Sequence, residues 1–276
     1  MKKNSLELQI SVSSYSFHKM NNSAMERLRL AKELGFAAIE FTEVDMETAR
    51  RLREESQRLD FPIICYTVGA DFLQAASVEA EAERLRGQVD IARALGVSLM
   101  RHDASRGRKG MVFNEALPLL AKGCRMVTEY AAAQGIASMV ENHGFFCQDS
   151  QRVAALAGAV GHANFGLLAD IGNFLCADED PALATGNIAA MAMHVHAKDF
   201  HVKSGAGDDP GKGWFQSRGG NYLRGAVIGH GNVPVRQCLS NLKRAGYNGY
   251  VSIEFEGMED CCEALKIGKE NLERLL

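Results

Sequence analysis

The 276-residue sequence predicts an α/β fold, a (β/α)8 TIM barrel built as a single domain over residues 1–276. Three observations predict it. Eight short apolar runs alternate with amphipathic stretches, most of those stretches stop at a glycine, and the segment after the first run, SVSSYSFHKM, contains no glycine at all. The last observation ranks a doubly wound sheet second, because that fold usually opens with a Gly-rich phosphate turn after its first strand.

Taken in order, Leu6 to Ser13 alternates polar and apolar residues as a first strand does, and leads into a loop with Tyr15, Phe17 and His18. Ser23, with Glu26 three residues on, forms a capping box for a helix whose stripe Leu28, Ala31, Leu34 ends at Gly35. Phe36 to Phe41 is the second strand. Met46 to Leu59 is a charged amphipathic helix, Pro62 to Val68 the third strand, Val78 to Leu95 a helix stopped by Gly96, and Val97 to His102 the fourth strand. Asn114 to Gln134 is a long helix stopped by Gly135, before the fifth strand, Ile136 to Glu141. A helix at Asp149 to Val160, a strand at Phe165 to Asp170, a weaker helix around Pro181 to Ala190 and a strand at Met191 to Lys198 follow. A long segment then leads to a helix at Val235 to Ala245, the eighth strand at Tyr250 to Phe255, and a closing helix from Asp260 to Leu276.

Composition narrows the function classes. A formal charge of −3 gives little bulk attraction for nucleic acid, so no nucleic-acid partner is expected. No stretch approaches the roughly 18 apolar residues that spanning a bilayer needs, and MKKNSLELQI lacks the apolar core of an export signal. Seven cysteines without a CxxC pair read as reduced thiols, which together with the missing signal predicts a cytoplasmic protein without membrane contact.

The chemistry centres on MAMHVHAKD, residues 191–199. His194 and His196, two apart on a strand, point to one side. A histidine on an apolar strand is commonly a hydrogen-bonded core residue, the plainer reading of His194. Three other strands close on an acid followed by Gly or Asn: Glu141 in IASMVENHG, Asp170 in FGLLADIGN and Glu254 in VSIEFEG. In a parallel barrel the C-terminal strand ends share one face. The spacings of 29 residues from Glu141 to Asp170 and 26 from Asp170 to His196 each match one strand-helix repeat, and the 58 to Glu254 contains the long segment. Three oxygens and one nitrogen then converge, a donor set suited to a divalent cation.

These residues resemble the sugar phosphate isomerase/epimerase family of xylose-isomerase-like TIM barrels, which also includes inosose dehydratases, ketose 3-epimerases and the distant endonuclease IV enzymes. The resemblance rests on GFAAIE at 35–40, Glu141 in ENHG, Asp170 in DIGN, His196 in HVHAKD, Gly229 and Gly231 in IGHGNVP, and Glu254 in SIEFEG, and it spans nearly the whole chain. It implies one divalent ion on Glu141, Asp170, His196 and Glu254, most often Mn²⁺, with Co²⁺, Mg²⁺ or Zn²⁺ as alternatives. It also implies that Glu141 and Glu254 flank the reacting carbon, that the partner is a small carbohydrate, and that the chain assembles as a homodimer or homotetramer. The sequence departs from the family's ketose epimerases at Asn173, Cys147 and Val202, where those enzymes carry a histidine, a glutamate and an arginine; Asn173 also departs from the multi-zinc pattern of endonuclease IV.

The expected activity is that of a metal-dependent isomerase or epimerase acting on a sugar, sugar phosphate or keto-polyol through an enediolate, with Glu141 and Glu254 moving protons. A lyase of the inosose-dehydratase or deglycosidase kind is the second reading, and a catalytically silent sugar-binding barrel the third. His102, His143, Lys198 and Trp214 are candidate substrate contacts, with Glu43 also placed at the mouth. The glycine-rich segment from Phe200 to Asn232, which carries the only tryptophan, reads as a lid with Trp214 as an apolar wall and Lys203, Lys212 or Arg218 available to a phosphate; a solvated loop or subunit contact is the plainer reading.

Overall fold

The structure is a computed structural model, and it describes residues 8–276. Its elements run β1 Gln9–Ser13, α1 Ala24–Glu33, β2 Ala38–Thr42, α2 Met46–Leu59, β3 Ile63–Val68, α3 Val78–Leu95, β4 Leu99–His102, α4 Phe113–Ala133, β5 Ala137–Glu141, α5 Ser150–Val160, β6 Phe165–Asp170, α6 Pro181–Ile188, β7 Ala192–Ala197, β8 Asp199–Lys203, β9 Phe215–Gln216, β10 Tyr222–Ala226, α7 Val235–Arg244, β11 Tyr250–Ile253 and α8 Cys261–Leu275. Eight parallel strands close into a barrel in the order β1-β11-β7-β6-β5-β4-β3-β2, as the sequence predicts. Closure joins the first strand to the last, with Gln9 opposite Tyr250 and Val12 opposite Ile253. The Leu6 and Glu7 positions of the expected first strand lie outside the described residues.

Local chemistry sets the helix ends. Ser23 and Glu26 make the reciprocal capping box at α1, and Asp45, Ser77, Asp149, Asp180 and Asp260 each accept a backbone N–H at the start of α2, α3, α5, α6 and α8. At the other ends the chain turns through a left-handed Gly35, Gly96, Gly135 or Gly246, and the next residue folds back: the N–H groups of Phe36, Val97, Ile136 and Tyr247 donate to Ala31, Ala92, Ala131 and Leu242. That is a Schellman arrangement, completed by burial of an apolar residue just past the glycine. Hence Phe36, Val97 and Ile136, read from sequence as the first residues of strands, instead seal helices, and β2, β4 and β5 begin one or two residues later.

The main core lies between the barrel and its helices and includes Ile39, Phe41, Leu85, Met100, Leu120, Val195 and Leu239. A smaller buried cluster, Cys65, Met139 and Leu168, fills the inside of the barrel. Among the described residues no helix is long and apolar enough to cross a membrane.

The segment after β7 corrects the expectation of a lid loop. It is an ordered antiparallel sheet in the order β8-β10-β9 that starts at Asp199, directly after β7. Its base is gathered by the buried Asp199 carboxylate, which accepts backbone N–H bonds from Phe200, Gly229, Gly231 and Val233 at 2.9–3.0 Å. A Cβ on Gly231 would sit 2.2 Å from that carboxylate, so only glycine lets the returning chain come this close.

Candidate metal and active site

β5 and β6 end on Glu141 and Asp170, β7 carries His196 at its penultimate position, and Glu254 directly follows β11. The N–H of Glu254 still donates to Ala197 O at 3.0 Å, so the acid is held in register with the end of β7. One donor atom from each of Glu141, Asp170, His196 and Glu254 lies within 4.8 Å of the others. In barrel order Glu141 and Glu254 stand at the two ends of a four-strand arc, with Asp170 and His196 between them.

Each group is aimed by its neighbours. Glu141 accepts from Asn173 Nδ2 at 2.8 Å and pairs with Arg101 Nη2 at 2.7 Å. Asp170 Oδ1 accepts the N–H groups of Gly172 and Asn173, while its Oδ2 is buried with no partner but the Lys198 ammonium, 3.2 Å away. His196 Nδ1 is buried and unpartnered, 3.9 Å from Asp170 Oδ2 and 3.6 Å from Glu254 Oε2. The His196 nitrogen and the carboxylate oxygens of Glu141, Asp170 and Glu254 can all offer lone pairs within 4.8 Å of one another, a donor set that fits a divalent cation. The buried Lys198 ammonium leans on the same group, 2.6 Å from Glu254 Oε2, 3.2 Å from Asp170 Oδ2 and 3.3 Å from Glu256 Oε1.

The electrostatics follow from this crowding. Burial, with the Glu141 and Glu254 charges beside it, pushes the Asp170 carboxyl up to about 6 despite Lys198. Burial works against the Lys198 ammonium, but Asp170, Glu254 and Glu256 outweigh it and hold the lysine well above its usual range. Glu254 is depressed because Lys198 and His196 overcome its desolvation. On the β4 side, burial of Asp103 is outweighed by Arg101 and His143, and its carboxyl falls to about 2. His143 Nδ1 lies 2.8 Å from Asp103 Oδ1, and that bond with the Glu141 charge raises the imidazole against its own burial.

A cavity of about 390 Å³ opens over this set, lined by Glu141, His196 and Glu254 at its base and by His143, Arg106 and Glu43 on its walls. Lys198 meets Glu254 and Glu256, two of the carboxylates that line the cavity. Two expected substrate contacts do not. His102 is fully buried on the outer side of β4, its Nδ1 2.8 Å from Asp103 O and its ring edge-on to Phe72, because Leu99 and Arg101 take the inward positions of that short strand. Trp214 lies in the outer sheet between Lys203 and Arg224, 5.2 and 5.4 Å from its ring, and does not line the cavity. Lys203 is thereby occupied, Lys212 is exposed, and Arg218 binds Asp149 and the Phe145 carbonyl.

Sequence reasoning passed over Arg101, Asp103 and Glu40. Counting β4 by twos from Leu99 turns Arg101 inward, and an acid between Ile39 and Phe41 marks Glu40 as the inward residue of β2.

A family profile described as Xylose isomerase-like TIM barrel matches residues 28–276. The chain belongs to that family. Its solved structural neighbours include an L-ribulose 3-epimerase, a D-tagatose 3-epimerase-like protein and a probable dehydratase. The rhizopine catabolism protein MocC of Rhizobium meliloti is 26% identical over 220 residues, which is 74% of this chain and 66% of MocC, just under two thirds of that relative. The structure of the probable 3-DHS dehydratase AsbF, involved in petrobactin synthesis in Bacillus anthracis, superposes with a TM-score of 0.77 at 18% identity, covering 96% of this chain and 99% of AsbF. The IOLI protein, solved with a bound zinc atom, gives 0.79 at 16% identity, covering 97% and 98%. At these identities the structural likeness concerns the fold.

Proposed function

We propose that this barrel is a divalent-metal-dependent isomerase or epimerase of a sugar or keto-polyol, with the ion on Glu141, Asp170, His196 and Glu254. The observation that carries the reading is the gathering of one donor atom from each of Glu141, Asp170, His196 and Glu254 within 4.8 Å under one cavity, with His196 Nδ1 left unpartnered. Mn²⁺ suits three carboxylates and one imidazole, as do Zn²⁺ and Mg²⁺, and the zinc bound to IOLI supports a metal on this fold. A bound ion supplies positive charge against an oxygen that becomes an enediolate when a neighbouring carbon loses its proton. Glu141 and Glu254, at opposite ends of the arc, take that proton and return it. Lys198 adds a second positive charge near the developing oxyanion, and His143 meets a substrate hydroxyl from the wall.

One arrangement favours the lyase as a second reading. The Asp103–His143 pair strengthens the hold of the imidazole on a proton at the cavity wall, an arrangement suited to protonating a departing β-hydroxyl. Incubating ketoses and keto-inositols with the Mn²⁺-loaded protein in deuterated water separates the two. Deuterium entering the sugar without loss of water supports isomerase or epimerase chemistry, and appearance of an unsaturated ketone supports the lyase. Glu141→Gln and Glu254→Gln should each slow exchange by about 10² to 10⁴-fold. Exchange at the native rate in both variants would remove the glutamates from the chemistry.

A further inference from the structure

His196 has two ring nitrogens, and only one faces the donor cluster. Its Nε2 lies 2.7 Å from Glu40 Oε1, while the other oxygen of the same carboxylate, Oε2, lies 2.6 Å from His194 Nε2. Glu40 is wholly buried inside the barrel on β2, three strands round from β7, with β11 and β1 between them. His194 Nε2 is also 3.1 Å from Ser252 Oγ, which meets Ser11 Oγ at 2.7 Å, so this polar knot ties β7 to β2, β11 and β1. The two imidazoles stand nearly perpendicular, 80° between planes and 5.7 Å between centroids, each presenting a nitrogen to its own oxygen.

We propose that Glu40 is a positioning residue that fixes His196 with a proton on Nε2 and its Nδ1 lone pair turned toward the ion. An ionised carboxylate only accepts, so both Nε2 atoms must donate. In the opposite tautomer a nitrogen lone pair would face Glu40 Oε1 at 2.7 Å, and an N–H would point where the cation belongs. A carboxylate behind a ligating histidine sets ring orientation and makes the imidazole a better donor. Glu40 differs from the usual single partner because it serves two histidines, so His194 restrains the carboxylate from its far side. His194 thereby acquires a task although its own ring does not reach the cluster.

The inference rests on the metal-dependent reading for its purpose but not for its geometry, and the test separates the two. Imidazole ¹⁵N–¹H correlation spectra of the native protein should show a proton on Nε2 of both His194 and His196, with and without Mn²⁺. Calorimetric Mn²⁺ titration should give binding about 10 to 100-fold weaker in Glu40→Ala, which removes both acceptors, with Glu40→Gln in between because an amide oxygen keeps one of the two contacts. An unprotonated His196 Nε2 in the native protein overturns the proposal even if Glu40→Ala does not fold. So does a folded Glu40→Ala that binds Mn²⁺ within twofold of native. If the native chain takes up no divalent ion, the metal-dependent reading fails while the Nε2 protons still report whether Glu40 holds the ring.

Discussion

Burial lowers the His102 imidazole to about 4, from an ordinary 6.5, against the opposing Asp103 carbonyl bond and the Asp103 and Glu81 charges. The folded protein therefore keeps this ring neutral where the unfolded chain would protonate it. Because the unfolded state binds the extra proton, stability from this group is complete above about pH 6.5 and is lost as pH falls toward 4, by roughly 3 kcal/mol. His102→Asn keeps a donor for the carbonyl and removes the titration. Urea denaturation at pH 7.5 and 4.5 should show a smaller acid loss in the variant, and an unchanged loss would clear His102 of the effect. The contrast with Arg101 shows what a strand end does and does not disclose. Position at the end of β4 placed both residues near the mouth, but only counting inward positions along the strand assigns one to the ion pair with Glu141 and the other to the Phe72 layer. Glu141, Asp170 and His196 were legible because each is the inward residue at its strand's end; Glu40 was not, since it sits a layer lower and reaches the cluster only through His196.

At the scale of elements, the β6 turn and the end of β7 form one unit. A Cβ on Gly172 would lie 2.5 Å from the Lys198 carbonyl oxygen and 3.0 Å from the Lys198 Cβ. Neither contact is a flexible side-chain tip. Gly172→Ala should therefore push the turn from β7, at a cost of about 1–3 kcal/mol, and separate Asp170 from His196. Thermal denaturation and Mn²⁺ titration check both parts; a variant with native melting and native affinity would show that the turn can relax. The helices were readable because caps and glycine stops are local signals, and the main errors at strand starts came from apolar residues that close a Schellman turn. The outer sheet was not readable for a related reason. Its strands are short, β9 has two residues, and its many glycines look like loop, while the restraint that orders it comes from Asp199, whose four backbone partners reach 34 residues along the chain.

For the whole molecule, cation binding and proton release should be linked. Without the ion, burial keeps Asp170 at about 6, and Glu40 and Glu254 hold His196 well above its ordinary value against its own desolvation. An incoming cation needs both groups deprotonated, so affinity should rise with pH through the Asp170 range near 6 and go on rising as His196 gives up its proton. Titrations at pH 6.5 in two buffers of different ionisation enthalpy should reveal net proton release; none would mean that the ion binds elsewhere. Free Mn²⁺ at a hundredfold excess over its Kd adds about 2.7 kcal/mol to the native state, raising Tm by several degrees. Asp170→Asn should abolish that rise. Closure of the ring gives the centre a further property. Glu254 follows the strand that zips against β1, whereas Glu141, Asp170 and His196 come from strands that precede it. A chain emerging from the ribosome thus presents three of the four donors before the fourth is made, and on the proposed reading full cation affinity must wait until β11 has closed against β1.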